Sequence, residues 1–106
     1  MKYSPKYFTE FKKRYPGVAK SFDQLGAECA KAGPIDKKTQ HLIKLGVATG
    51  LGHEGNVQKL AKRALAEGVS PDEIRQAVLL STTTAGFPTM LVAMQWVAEV
   101  IAAKEK

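Results

Sequence analysis

The break signals in this chain are nearly all helix signals, and that punctuation restricts the fold more than any other feature. Ser4-Pro5 reads as an N-cap followed by proline at the first helical position. Tyr7, Phe8 and Phe11 then form a short apolar stripe that Pro16-Gly17 ends. Val18, Phe22, Leu25 and Cys29 recur at helical spacing, so a second helix is expected to about Ala32, where Gly33-Pro34 stops it. Asp36 can cap a third helix, whose buried side is expected to be Leu42, Ile43, Leu45, Gly46 and Val47. Gly50 and Gly52 loosen the chain into a turn at His53-Glu54-Gly55. A fourth helix carries Val57, Leu60, Ala61, Ala64 and Leu65 and closes at Gly68.

Ser70-Pro71-Asp72-Glu73 is the strongest local signal. Ser70 can accept from the backbone near Glu73 and Glu73 can accept from the backbone of Ser70, a capping box with proline at the first helical position. Ile74, Ala77, Val78 and Ser81 line this fifth helix up to Gly86-Phe87-Pro88. A sixth helix starts near Pro88 and carries Met90, Leu91, Met94, Val97, Val100 and Ile101. No segment alternates as a strand does. The expected fold is all-α, about six helices with short connections.

One domain over residues 1–106 is expected, since the length allows one modest core. Only Met1-Lys2 and Ala103 to Lys106 read as frayed ends. With 44% hydrophobic and 25% charged residues, the composition is that of a globular domain. No apolar run approaches the ~20 residues of a membrane span, and the polar N-terminus carries no secretory signal. A cytoplasmic location and no membrane partner are the expectations. The single Cys29 agrees, because it cannot close an internal disulfide.

The net charge of +6 is unevenly placed. Residues 1–20 hold Lys2, Lys6, Lys12, Lys13, Arg14 and Lys20 against Glu10 alone, giving +5 and leaving +1 for the rest. Tyr3, Tyr7, Phe8, Phe11 and Tyr15 are interleaved with those charges. Basic residues among aromatics can bind nucleic acid. The stronger reading for segment 1–16 is an amphipathic helix that docks its aromatics and points its lysines at water.

Four ordered motifs carry a resemblance. They are Gly33-Pro34-Ile35-Asp36-Lys37-Lys38-Thr39, then Gly52-x-Glu54-Gly55, then Arg63 through Ile74 with its Glu67-Gly68-Val69-Ser70-Pro71-Asp72-Glu73, and finally Ala85-Gly86-Phe87-Pro88. In this order and spacing the chain resembles the carboxymuconolactone decarboxylase family, which includes the alkylhydroperoxidase-D-like proteins. The resemblance implies an all-helical domain, a homo-oligomer (often a trimer or hexamer), and a small-molecule pocket between the third and fourth helices. In redox members that pocket holds a glutamate, a Cys-x-x-Cys turn and a histidine, with the thiolate as the reactive form. Here those four positions read His41, His53, Asn56 and Leu60. Dithiol peroxidase chemistry is therefore not expected. If the chain is an enzyme, a decarboxylase-like lyase is favoured. This chain is similar to a branch whose turn reads Glu54-Gly55-Asn56-Val57 and whose fifth helix ends at Thr84-Ala85-Gly86-Phe87-Pro88.

His41 and His53, the only histidines, are the candidate catalytic residues, because imidazole titrates near neutrality. The alternative is structural, with His41 half-buried on the third helix and His53 capping the fourth. A metal site usually needs three or four ligands, and a twelve-residue separation is not a ligand spacing, so no metal or cofactor is expected. Asn56, Glu54 and Thr84 are candidate substrate contacts. The stronger reading for Glu54 is the first turn of a helix, where the dipole favours a carboxylate, and the Thr82-Thr83-Thr84 run is equally suited to bonding back onto helix carbonyls. Met90, Met94 and Trp96 read as core or subunit contact. Two functions follow from different classes. One is acid/base chemistry on a small organic acid or lactone. The other is a non-catalytic oligomeric binding or structural protein. A closed seam between the third and fourth helices would favour the second.

Overall fold

The computed structural model describes residues 4–105. Met1, Lys2, Tyr3 and Lys106, which figure in the expectations for the basic segment and the frayed ends, lie outside those residues. The described residues are all-α and contain no strand. In chain order the helices are α1 (Pro5–Arg14), α2 (Pro16–Lys31), α3 (Lys37–Leu51), α4 (Glu54–Ala66), α5 (Pro71–Leu79), α6 (Thr82–Ala85) and α7 (Phe87–Glu105). The one helix beyond the expected six is α6. The fifth helix stops at Leu79, and Ser81 and Thr82 turn their hydroxyls onto the carbonyls of Val78 and Leu79 at 2.7 and 2.6 Å. That back-bonding separates a single turn, Thr82–Ala85, before Gly86 breaks the chain at φ 103°. Within the described residues α7 continues to Glu105.

The chain divides into two compact units, Met1–Ile35 and Asp36–Lys106. In the first, Ser4 caps α1 by accepting from the Tyr7 N–H at 3.1 Å. Pro16 then opens α2 one residue after Tyr15 closes α1. Lys12 Nζ sits 4.7 Å above the Phe8 ring, and the Phe11 and Tyr15 rings lie 5.3 Å apart. Neither α1 nor α2 buries a residue. Within this unit Phe11 is half-buried, while Tyr7 and Phe22 on α2 are exposed.

The second unit holds the core. Leu45, Val57, Ala61, Ala64, Ile74, Val78, Ala93 and Val97 are fully buried in one cluster. Side-chain contacts fix the helix directions. Lys38 pairs with Glu73, Gly46 faces the Ala77 carbonyl, and Gly50 faces Ala85, so α3 and α5 run the same way. Gln58 reaches the Trp96 carbonyl and Glu99, and Lys104 reaches the Leu65 carbonyl, so α4 and α7 run together in the opposite direction. Around the bundle the neighbours are α3, α4, α7 and α5. Burying one stripe per helix in this way is how a short chain closes a core.

This arrangement gives the unit two distinct ends. One end collects the starts of α3 and α5 and the end of α4, and it is ionic. The other holds the α3–α4 turn and α6.

One expectation about α3 is corrected. Ile43 and Val47 were placed on its buried side, yet they are 47% and 59% exposed. The helical period explains the difference. Leu45, Ala48 and Thr49 share the inward face. Ile43, Val47 and Leu51, each four residues on, share the outward face.

Candidate functional site

The turn at the end of α3 is built by Gly52. Its φ of 72° is the left-handed conformation that closes a helix, and its N–H donates to the Ala48 and Thr49 carbonyls. His53 follows in extended conformation as the N-cap of α4, but its imidazole makes no capping bond. It occupies the expected capping position without the expected capping bond, and it is half-buried. Glu54 stands in the first turn of α4, where the helix dipole favours a carboxylate, and is also half-buried. Asn56 is exposed. Thr84 lies on α6, whose Ala85 abuts Gly50 at the same end of the unit, and is exposed as well. The structure therefore brings His53, Glu54, Asn56 and Thr84 to one end of the bundle.

His41 is at the other end. It sits near the start of α3, one turn after Lys37, which bonds Glu67 at 3.0 Å just beyond α4. The carboxyl of Glu67 is held below its ordinary range, mainly by the Lys37 ammonium and to a lesser degree by His41. The ring nitrogen Nε2 of His41 is buried and has no hydrogen-bond partner among the described residues. Ten helical residues from His41 to Leu51 span about 15 Å at the α-helical rise, and His53 lies two residues further. Two imidazoles that far apart share no proton.

Between these ends, α3 and α4 are closed against one another. Leu45 and Thr49 of α3 and Val57, Ala61 and Ala64 of α4 are all 0% exposed. Thr49 is the only polar residue among the buried ones described, and its hydroxyl has no partner among the described residues.

The ionic end is ordered by carboxylates. Asp36 caps α3 by accepting from the Thr39 N–H at 3.2 Å and the Thr39 hydroxyl at 2.7 Å, and these bonds lower its pKa. The capping box of α5 is complete, with Ser70 Oγ accepting from the Glu73 N–H and Glu73 Oε1 from the Ser70 N–H. Glu73 Oε2 also meets Lys38 Nζ at 2.7 Å. The Lys38 contact and the Ser70 N–H together bring the Glu73 pKa down to about 2.

Two hollows adjoin along α4 and α7, and neither is lined by the candidate residues. One, about 320 Å³, is lined by Lys62, Leu65, Ala66, Val100, Ala103 and Lys104. The other, about 430 Å³, shares Leu65 and Lys104 and reaches Ser70 and Glu105. Sequence reading missed both, because Lys62 and Lys104 lie on different helices and no local pattern joins them. Among the described residues no three or more His, Cys, Asp or Glu side chains group as a metal site would, and no helix is long and apolar enough to cross a membrane.

No curated protein and no solved structure matches the chain. The model of the carboxymuconolactone decarboxylase family matches residues 16–99, most of the sequence. It covers α2 to α6, the α3–α4 turn and most of α7. The chain belongs to the carboxymuconolactone decarboxylase family.

Proposed function

We propose that this chain is a non-redox member of its family that works as a homo-oligomeric binding or structural protein. The observation that carries this reading is the closed seam between α3 and α4. Leu45, Thr49, Val57 and Ala61 fill that region at 0% exposure, so the reactants of an acid/base step would have no room between the helices. The separation of His41 from His53 supports the same reading. So does the sequence, because the turn holds His53 and Asn56 and no thiol, and the chain's one cysteine, Cys29, has no second thiol within the chain.

Self-association is supported by the surface. A helix that is apolar on opposite sides is normally buried on both. α3 buries Leu45 and Ala48 inward and shows Ile43, Val47 and Leu51 outward, and α7 buries Val97 while Leu91 stays open. Ile43, Val47, Leu51, Leu80, Phe87 and Leu91 are 47% to 66% exposed. Ile43, Val47 and Leu51 form one open apolar stripe along α3, the kind of surface that an interface covers. The occupant proposed for this stripe is a second copy of the chain.

Sedimentation velocity at micromolar concentration tests this reading. The wild-type chain should run as an oligomer, and Val47→Glu should shift it to a smaller species with unchanged helical circular dichroism. A wild-type monomer would overturn the assembly. Peroxide turnover with a regenerating thiol system, whether or not it persists in Cys29→Ser, would overturn the non-redox assignment.

One observation favours a second reading at the turn. The His53 imidazole is half-buried and makes no capping bond. Beside Asn56 it could hold or protonate a small organic acid. In that case His53→Ala would abolish binding of the acid and leave the oligomer intact.

A further inference from the structure

The hollow between α4 and the end of α7 has a composition that nothing in the family assignment explains. Its floor is aliphatic, made by Leu65, Ala66, Val100 and Ala103, and its rim carries two ammonium groups, Lys62 and Lys104. Lys104 Nζ is held in place by donating to the Leu65 carbonyl at 2.9 Å, in the last turn of α4. That bond uses one of the three ammonium donors and leaves two for another acceptor. Lys62, one helical turn before Ala66, has no ion-pair partner among the described residues. No acid lines this hollow; Glu105 lines the adjoining one, and Glu99 along the same α4–α7 contact accepts from Gln58 at 2.8 Å.

A floor without polar groups and a rim with two cations select for a molecule with the complementary division. It needs a single anionic head to accept from the two ammoniums and an aliphatic body of a few carbons to cover Ala66 and Ala103 and the open edges of Leu65 and Val100. The volume of about 320 Å³ lies at the small end of ligand sites and suits a molecule of a few carbons. Lys104 is already ordered by its bond to Leu65, so little side-chain freedom remains to be lost when an anion arrives. We propose that this hollow binds a small amphipathic monocarboxylate, with Lys62 and Lys104 on the carboxylate and the α4–α7 floor on the chain. The proposal does not rest on the closed α3–α4 seam or on the assembly.

The test uses octanoate as the probe with the full chain. Methyl resonances of Leu65 and Val100 should shift saturably on titration, while those of Val47 and Leu51 stay fixed. Octanol and octylamine, which keep the chain and remove or reverse the charge, should bind about tenfold more weakly or worse, as expected for loss of one charge-assisted contact. Lys62→Met keeps the stem and removes the charge. It should weaken octanoate by a similar factor and leave the melting temperature unchanged. Lys104→Met should weaken it too, but it also loses the bond to Leu65, so Lys62→Met is the deciding variant. Octanol binding as tightly as octanoate, undiminished octanoate binding in Lys62→Met, or no shift at Leu65 and Val100 with millimolar octanoate would each overturn the proposal.

Discussion

Glu73 and Lys38 join the starts of α5 and α3 through a 2.7 Å contact, and the same carboxylate closes the capping box of α5 on Ser70. One side chain thus serves a local cap and a tertiary pairing. Its pKa is depressed from 4.5 to about 2, with Lys38 the largest cause. For a carboxylate depressed by folding, the stabilisation is fully present above the unfolded pKa and is lost as pH falls through the folded one. The chain should therefore lose stability between pH ~4.5 and ~2, the interval between those two values. Glu73→Gln should flatten that part of the curve. Urea denaturation at a series of pH values measures it, and an unchanged slope in the variant would show that Glu73 is not the group responsible. Because the pair is open to solvent, added salt should reduce the effect of Lys38.

The cap and the pairing can be separated. Ser70→Ala removes the hydroxyl that accepts from the Glu73 N–H and leaves Lys38–Glu73 available. The expected loss is about 1 kcal/mol. Lys38→Met removes the pairing alone and should cost less, since an ion pair this open to solvent contributes little. If Lys38→Met proved the more damaging, the tertiary contact would outweigh the cap.

Ser70-Pro71-Asp72-Glu73 was legible in the sequence because a capping box is a local arrangement of four consecutive residues. The same holds for Asp36 with Thr39 and for the break at Gly86. The outward position of Ile43 and Val47 was not legible. An apolar residue on a helix that is apolar on two sides gives no sign of which side faces the chain's own core. Bonding of the threonine run back onto helix carbonyls was legible, and Thr82 does donate to the Leu79 carbonyl, but that this leaves a separate turn at Thr82–Ala85 was not, because no glycine or proline marks the end of α5. At the candidate site, the sequence could place His53, Glu54 and Asn56 together because they are neighbours in one turn. It could not place His41, whose distance from His53 depends on α3 remaining unbroken through Gly46 and Gly50.

That unbroken helix leads to a test of geometry. A disulfide requires Cα atoms within about 7 Å, whereas α3 holds positions 41 and 53 roughly 15 Å apart or more. In a Cys29→Ser background, His41→Cys combined with His53→Cys should give no intrachain disulfide under mild oxidation. Thiol titration and peptide mapping would detect one. A quantitative intrachain bridge would show that α3 opens at its glycines and brings the two positions together.

The glycines of α3 should respond in opposite ways to a methyl group. A Cβ at Gly46 would meet the Ala77 carbonyl at 4.0 Å, and one at Gly50 would meet Ala85 Cβ at 4.0 Å, both ordinary contacts. Glycine inside a helix costs roughly 0.5–1 kcal/mol relative to alanine. Gly46→Ala should therefore stabilise the chain by up to that amount. Gly52→Ala meets nothing in space but must adopt φ 72°, and it should destabilise by ~1–2 kcal/mol. Thermal melts of the two variants should move in opposite directions. A loss in Gly46→Ala would mean that α3 and α5 lie closer than the 4.0 Å contact indicates.

Thr49 supplies the last test, at the centre of the closed seam. Its side chain is 0% exposed, and its hydroxyl finds no partner among the described residues. A buried hydroxyl without a hydrogen bond is unfavourable by about 1–3 kcal/mol. Valine has nearly the same shape and keeps the packing against Val57 and Ala61 that a closed seam requires. Thr49→Val should therefore stabilise the chain by about 1 kcal/mol, and Thr49→Ala should destabilise it by opening a void. Denaturant midpoints of the two variants read this directly. If Thr49→Val were destabilising while Thr49→Ala cost no more, the hydroxyl would be bonded. The interior between α3 and α4 would then hold a polar contact, and the argument for a non-catalytic seam would lose its main support.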